Sequence, residues 1–306
     1  MIHTLQADEL LRGAIDMHCH AYPEFSADFP CRYSPAEHIA LMEQAGMGGV
    51  VLKSHFWPTV ALAEQLGTQF PDFPIVSSIT LNDCVGGLSP WAVESAARQG
   101  ARVVWFPTWS SRNDIRRGGI SKTIAAYLPT FPAYLDGGGH TLTGEDGQIC
   151  PQAKAVLEVC RDYDLTVCTG HISPEESLAL ARCAADMGFG KLVLSHPDSG
   201  SVQASLEQVG EFARLGGYIE LCALGLTPIH HRISPSQMAQ MARAAGGERC
   251  ILSTDYFFAW DASSPEQLRG LLHALLYAGL EPEVLRAMVR DIPRALLGLS
   301  ANEKGR

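Results

Sequence analysis

Eight short runs rich in valine, isoleucine and leucine recur along the chain, each followed by a segment that starts and stops like a helix. That alternation restricts the fold more than any other feature. The runs fall at roughly Ala14 to His20, Gly49 to His55, Pro74 to Thr80, Arg102 to Thr108, Leu165 to His171, Lys191 to His196, Gly217 to Cys222 and Arg249 to Asp255. Most are apolar on both faces, the pattern of parallel strands covered on both sides. Between them, Ser34-Pro35-Ala36-Glu37, Ser173-Pro174-Glu175-Glu176, Ser234-Pro235-Ser236-Gln237 and Ser264-Pro265-Glu266-Gln267 set a serine cap before proline, with Glu or Gln three residues on. This is the capping-box pattern. Ala45-Gly46, Gln99-Gly100, Met187-Gly188, Leu215-Gly216 and Ala245-Gly246 mark helix ends.

Eight strands alternating with helices predict an α/β chain folded as a (β/α)8 TIM barrel, a single domain over residues 1–306. An open doubly wound sheet would have fewer strands and a G-x-G-x-x-G turn after the first, which this chain lacks. A hydrophobic content of 46% supplies the large core such a barrel needs. The repeat is interrupted once, from about Ser110 to Gly147 after the fourth strand, by a glycine-punctuated stretch. A loop of that length at the carboxyl end of a barrel strand is expected to cover an active site.

Polar residues gather at the strand ends. His18 and His20 close the first strand, Lys53 and His55 the second, His171 the fifth, His196 the sixth and Asp255 the eighth. Side chains two apart on a strand share a face, so His18 and His20 point together, as do Lys53 and His55. A lone strand-end histidine is ordinarily a hydrogen-bonded structural residue. An ordered set with a carboxylate is instead what a divalent ion of borderline softness requires. His18, His20, His171 and Asp255 form the expected metal set, with His196 as a further ligand or catalytic group. Such an ion brings the pKa of bound water toward about 7 and makes a nucleophile at neutral pH. Asp255 is placed to take the water's proton as well as to ligate.

These residues resemble the amidohydrolase superfamily. Asp16-Met17-His18-Cys19-His20 is similar to its D-x-H-x-H signature, and Thr169-Gly170-His171, Leu194-Ser195-His196-Pro197 and Ser253-Thr254-Asp255 follow in the matching order. The resemblance runs from residue 14 to about 298. It includes Ile292-Pro293-Arg294-Ala295-Leu296-Leu297-Gly298-Leu299, similar to the N-P-A-x-L-L-G-L helix that closes many of these barrels. It implies one or two divalent metals and hydrolysis of an amide, lactam, lactone or ester. Zinc is the first expectation, with manganese or iron as alternatives. Binuclear members supply a bridging lysine or glutamate from strand three or four, but the fourth strand here reads Val103-Val104-Trp105-Phe106-Pro107-Thr108-Trp109. Two readings of Lys53 stay open: a carboxylated bridging metal ligand with a catalytic role, or an ammonium that binds a substrate carboxylate.

His55, Glu220 and Arg112 are the expected substrate contacts, with Arg116 and Arg117 beside Arg112. Trp105 and Trp109 suit either a wall for a ring or the core. His38 and His230-His231 are assigned no role. The function expected is metal-dependent hydrolysis of a small, cyclic or anionic molecule. A metal-dependent decarboxylase and a non-catalytic metabolite-binding barrel are the rivals. A formal charge of -10 and a pI near 5.5 disfavour nucleic acid and anionic membrane surfaces. A small-molecule substrate is the expected partner, and homo-oligomers are left open. Nine cysteines without a C-x-x-C pair are expected to be reduced, and the sequence shows neither a leader-like start nor an apolar run near about 18 residues. A cytoplasmic location is the resulting expectation.

Overall fold

The computed structural model describes residues 2–299, and for residues 2–4 the backbone alone. Residues 1 and 300–306 of the expected domain lie outside the described residues. Strands β1 (Ile15–His20), β2 (Gly49–Lys53) and β3 (Ile75–Val76) pair in parallel. Strands β4 (Ser78–Thr80), β5 (Val103–Trp105), β6 (Thr166–Cys168), β7 (Leu192–Leu194), β8 (Tyr218–Cys222) and β9 (Cys250–Ser253) form a second parallel sheet in chain order. The third predicted strand is thus two segments, broken at Ser77. Val51 pairs with Val76 on one side of the break, and Ser78 with Val103 on the other. Thr59 N donates to Ser78 O at 2.9 Å across the seam. The last stave returns to the first, where His20 N donates to Tyr256 O and Asp255 N to His18 O, both at 2.9 Å. Eight staves therefore enclose a barrel, as the alternation predicts.

Its interior is filled by side chains from successive strands, among them Ile15, Met17, Val51, Val103, Trp105 and Ile251. Helix Ile292–Leu297 plugs the amino-terminal end: Leu296 and Leu297 join that cluster, while Thr166 Oγ1 and Arg102 Nη1 donate to their carbonyls. Ser34, Ser173 and Ser234 cap their helices with full capping boxes. The fourth box is displaced by one residue, with Ser263 as the cap and Glu266 closing it. A fifth, Ser205 with Gln208, lacks the proline that marks the others. The stretch from Ser110 to Gly147 is not a plain loop, since it holds helices Arg112–Arg117 and Ile120–Tyr127 and a 3-10 turn at Phe131–Leu135. Among the described residues no helix is long and apolar enough to cross a membrane. The nine cysteines are free, six of them buried.

His38 has a structural use. Its Nε2 accepts the Ser264 N–H at 2.9 Å, one of the amide donors left over at a helix start, and it is buried against Cys19 and Tyr256. Burial brings its pKa down from 6.5 to about 4. The unfolded chain therefore binds a proton that the folded one refuses between those values, so this histidine costs no stability above pH 6.5 and a growing amount as pH falls to 4. The full window is worth about 3 kcal/mol. Urea unfolding at pH 7.5 and pH 5 should show the wild type losing about 2 kcal/mol more than His38→Gln. Equal losses would contradict the assignment.

Candidate metal centre

The strands end sooner than their apolar runs suggest. Lys53 is the last residue of β2, but His55, His171, His196 and Asp255 stand two or three residues beyond their strands. The chain there bends through left-handed backbone, with φ of +61° at Gly170, +27° at His196 and +55° at Asp255. These bends turn the side chains over the barrel mouth. On β1 the pairing register shifts between Asp16 and Cys19, and the rings of His18 and His20 lie on one side with centroids 5.3 Å apart. Asp16 holds no ligand position. Its carboxylate accepts from His18 N at 3.2 Å, Thr254 N at 3.0 Å and Thr254 Oγ1 at 2.5 Å, tying β1 to the turn that carries Asp255.

Three histidines are buttressed in the same way. His18 Nδ1 lies 3.2 Å from both Glu220 oxygens, His20 Nδ1 2.5 Å from Glu24, and His171 Nδ1 2.7 Å from Asp114. A buried carboxylate at Nδ1 keeps the N–H there and leaves the lone pair on Nε2, which is how metal-ligating imidazoles are oriented. The Nε2 atoms of His18 and His20 converge on Asp255 Oδ1, at 3.1 and 3.4 Å. Ligand atoms of His18, His196 and Asp255 lie within 4.8 Å of one another. His171 stands alongside, its ring centroid 5.0 Å from that of His196. His196 Nδ1 is buried without a hydrogen-bond partner, which is costly for an imidazole that serves only structure. Two other groups are as compact: His20, Glu24 and His55, and His18, Glu220 and Cys222.

The electrostatics suit a cation. Burial lowers the pKa of His171 and holds those of His55 and His196 well below the imidazole range, so all three are neutral, the ligating form. Burial and Lys53 push His18 down as well, but Asp255 and Glu220 outweigh them and hold it at about 9. Against burial, His18 and the hydrogen bonds from both histidines keep the Asp255 carboxyl well below its usual range. The protein thus draws positive charge to the place where these groups meet. The residues fit a divalent ion with nitrogen and oxygen ligands.

Above them opens a cavity of about 330 Å³, lined by His20, His55, His171, His196 and Asp255. Of the expected substrate contacts His55 faces it, with Nδ1 on Thr108 Oγ1 at 2.9 Å. Glu220 does not: it is sunk beneath His18 as that ring's carboxylate partner. Arg112 is exposed outside the cavity, and Arg117, five residues on, lines it instead. Lys53 is wholly buried with Nζ 2.8 Å from His18 Nε2 and 5.2 Å from the Trp105 ring, and it does not line the cavity. Burial drives it toward the neutral amine. Trp105 fills the barrel interior and Trp109 packs on Phe131, so the aromatic wall belongs to Phe257 and Phe258.

Glu24 and Asp114 went unread in the sequence. Glu24 accepts from His55 N and Ser54 Oγ besides meeting His20. Asp114 accepts from Ser201 Oγ and from the backbone of Ile120 and Ser121, which folds the Ser110 to Gly147 stretch down onto His171. The demand of a ligating histidine for a carboxylate was the available signal, but it does not say which carboxylate answers.

Residues 13–220 match a family described as "Family of unknown function (DUF6282)". No curated protein matches the chain in sequence. Among solved structures, the probable dipeptidase PvdM of Pseudomonas aeruginosa superposes with a TM-score of 0.67 at 12% identity, covering 97% of this chain and 98% of that one. An amidohydrolase of the same species gives 0.62 at 11%, over 95% and 98%. The 2,6-dihydroxybenzoate decarboxylase from Rhizobium gives 0.56 at 12%, over 94% and 99%. These neighbours are amidohydrolase-superfamily proteins, and the barrel is the fold they share with this chain.

Proposed function

We propose, from the premise that this chain belongs to the family of unknown function DUF6282 and has the amidohydrolase barrel, that it is a metal-dependent hydrolase of a small cyclic or anionic molecule. One observation supports this above the others: three histidines carry buried carboxylates on Nδ1, and two of them, His18 and His20, turn Nε2 toward a single mouth-facing aspartate. His18, His20, His171, His196 and Asp255 would hold the ion, zinc first, with manganese or iron as alternatives. When bound, such an ion supplies Lewis acidity and eases the ionisation of water.

The chain's own residues do the rest. Asp255 is the carboxylate that faces the cavity, ionised and in position to accept a proton from an attacking water. Asp255 then hands that proton to the leaving group, and neutral His196 lines the cavity beside it. His55, its ring 4.6 Å from that of His20, orients the substrate beside the metal set, and Phe257 and Phe258 exclude water from it. Lys53 serves as a bridging ligand if carboxylated; as an ammonium it lies too deep to meet a substrate.

The decarboxylase reading keeps its standing on one observation, the lack of a strand-four ligand, which suits a single ion. Metal-replete protein should be offered lactams, lactones, cyclic imides, esters and aromatic carboxylates. Acid release that stops on chelation and returns with zinc or manganese is the result expected. Carbon dioxide release without hydrolysis would overturn the proposal in favour of decarboxylation.

A further inference from the structure

Two arginines line the cavity, and neither belongs to the metal set. Arg117 comes from the helix Arg112–Arg117, its Nη1 on Gln203 Oε1 at 2.7 Å and its Nε on Asn113. Arg232 comes from the segment after β8 and is the more built of the two. Its backbone N–H is fixed to Gly225 O at 2.9 Å, and its Nε stands 3.9 Å from Asp198 Oδ2. The Asp198 side chain is 2% exposed, and neither of its oxygens has a hydrogen-bond partner. Arg232 Nε and Nη2 are likewise buried without one. The two groups stand within ion-pair distance but too far apart for a hydrogen bond, so Asp198 attracts the guanidinium and leaves Nε and Nη2 unused. The Arg232 side chain is 25% exposed, but its buried Nε and Nη2 lack an acceptor, which is costly unless something accepts from them.

The backbone is shaped for this tether. A Cβ on Gly225 would fall 2.3 Å from Asp198 Oδ2 and 3.1 Å from Ile233 Cγ2, so only glycine lets the carboxylate sit beneath Arg232. The cavity's charge is the reverse of the molecule's. The chain carries a net -10, yet the carboxylate lining the cavity is Asp255, already turned to His18 and His20. Phe257 and Phe258, edge to face at 4.6 Å, and Leu224 supply an apolar wall. A volume of about 330 Å³ lies at the small end of ligand pockets and accommodates one ring with a short substituent.

We infer that Arg232, held by Asp198, receives the carboxylate of a substrate that carries it on a single ring, with Arg117 as the second cation at the same mouth. The inference rests on the cavity being the substrate site of the hydrolase proposed above, but the carboxylate contact itself needs no metal. Arg suits the task because its planar fork takes both carboxylate oxygens, which a lysine ammonium cannot do.

The test uses benzoate, neutral benzamide and inorganic phosphate as probes, titrated calorimetrically into zinc-loaded protein and, in parallel, into chelator-treated protein. Arg232→Met should weaken benzoate at least about tenfold in both preparations and leave benzamide unchanged, with zinc content as in the wild type and the lower thermal midpoint that an unpaired buried Asp198 entails. Arg232→Lys should recover only part of the loss, which separates fork geometry from charge. Benzoate affinity unmoved by Arg232→Met overturns the inference, as does phosphate binding tighter than benzoate at the same residue. Failure of the metal reading is seen separately, as wild-type protein that holds no zinc whatever its benzoate affinity.

Discussion

Asp255→Asn should fold normally and lose its divalent ion. Asparagine is the substitution least disturbing to the backbone, since residue 255 has φ of +55° and asparagine accepts the left-handed region better than most residues. It preserves volume in a site where the side chain is only 14% exposed. What it removes is the charge on which His18 Nε2 and His20 Nε2 converge at 3.1 and 3.4 Å. Loss of an outer-shell partner costs roughly 10–100-fold in metal affinity, so loss of a ligand itself should cost at least about 100-fold. Zinc competition against a chromophoric chelator measures this. Retained affinity in Asp255→Asn would remove the residue from the ligand set.

The second large effect is on stability, at a residue that touches no substrate. Gly170→Ala should destabilise the protein by about 3 kcal/mol or more. Its φ of +61° is strained for any residue with a side chain, and a Cβ there would meet Phe106 O at 2.3 Å and Pro107 O at 2.9 Å. Both obstacles are backbone of the neighbouring stave and cannot swing aside. His171 N donates to Pro107 O at 3.0 Å next door, so relief of the clash would also displace His171. Gly188→Ala is the control, because Gly188 also has positive φ, +66°, but nothing lies within 4 Å of its would-be Cβ. Urea unfolding should show the Gly170 variant losing clearly more than the control. Equal losses would mean that the close approach to β5's trailing loop is not what demands glycine.

The barrel was legible because its signals are local. Each strand is an apolar run, and each helix announces itself with a serine, a proline and an acidic or amide residue. Where those signals thin, the sequence reading slips by small, explicable amounts. Ser205 caps a helix without proline, and Ser263 takes the cap that Ser264-Pro265 seemed to hold because Glu266, not Gln267, reaches back. The break at Ser77 depends on which neighbour each half pairs with, a fact of tertiary register.

The site was legible to the same depth. His18, His20, His196 and Asp255 come together because their order along a barrel brings strand ends to one rim. Their supports are another matter: Glu24, Asp114 and Glu220 approach from the loop after β1, the segment after β5 and strand β8, and nothing local to them records which imidazole they meet. Arg232 shows the same limit. Exposed arginines on a loop are ordinarily solvated, and what distinguishes this one from Arg112 is its place on the cavity wall and the buried Asp198 beneath it, permitted by Gly225.

Zinc-edge X-ray absorption on stoichiometrically loaded protein reads the ion's ligand atoms. A shell of imidazole nitrogen and carboxylate oxygen at about 2.0–2.1 Å is expected, with at least two histidines and no sulfur. A scatterer at about 2.3 Å would place the ion on a thiolate, as at the compact group of His18, Glu220 and Cys222, and would contradict it.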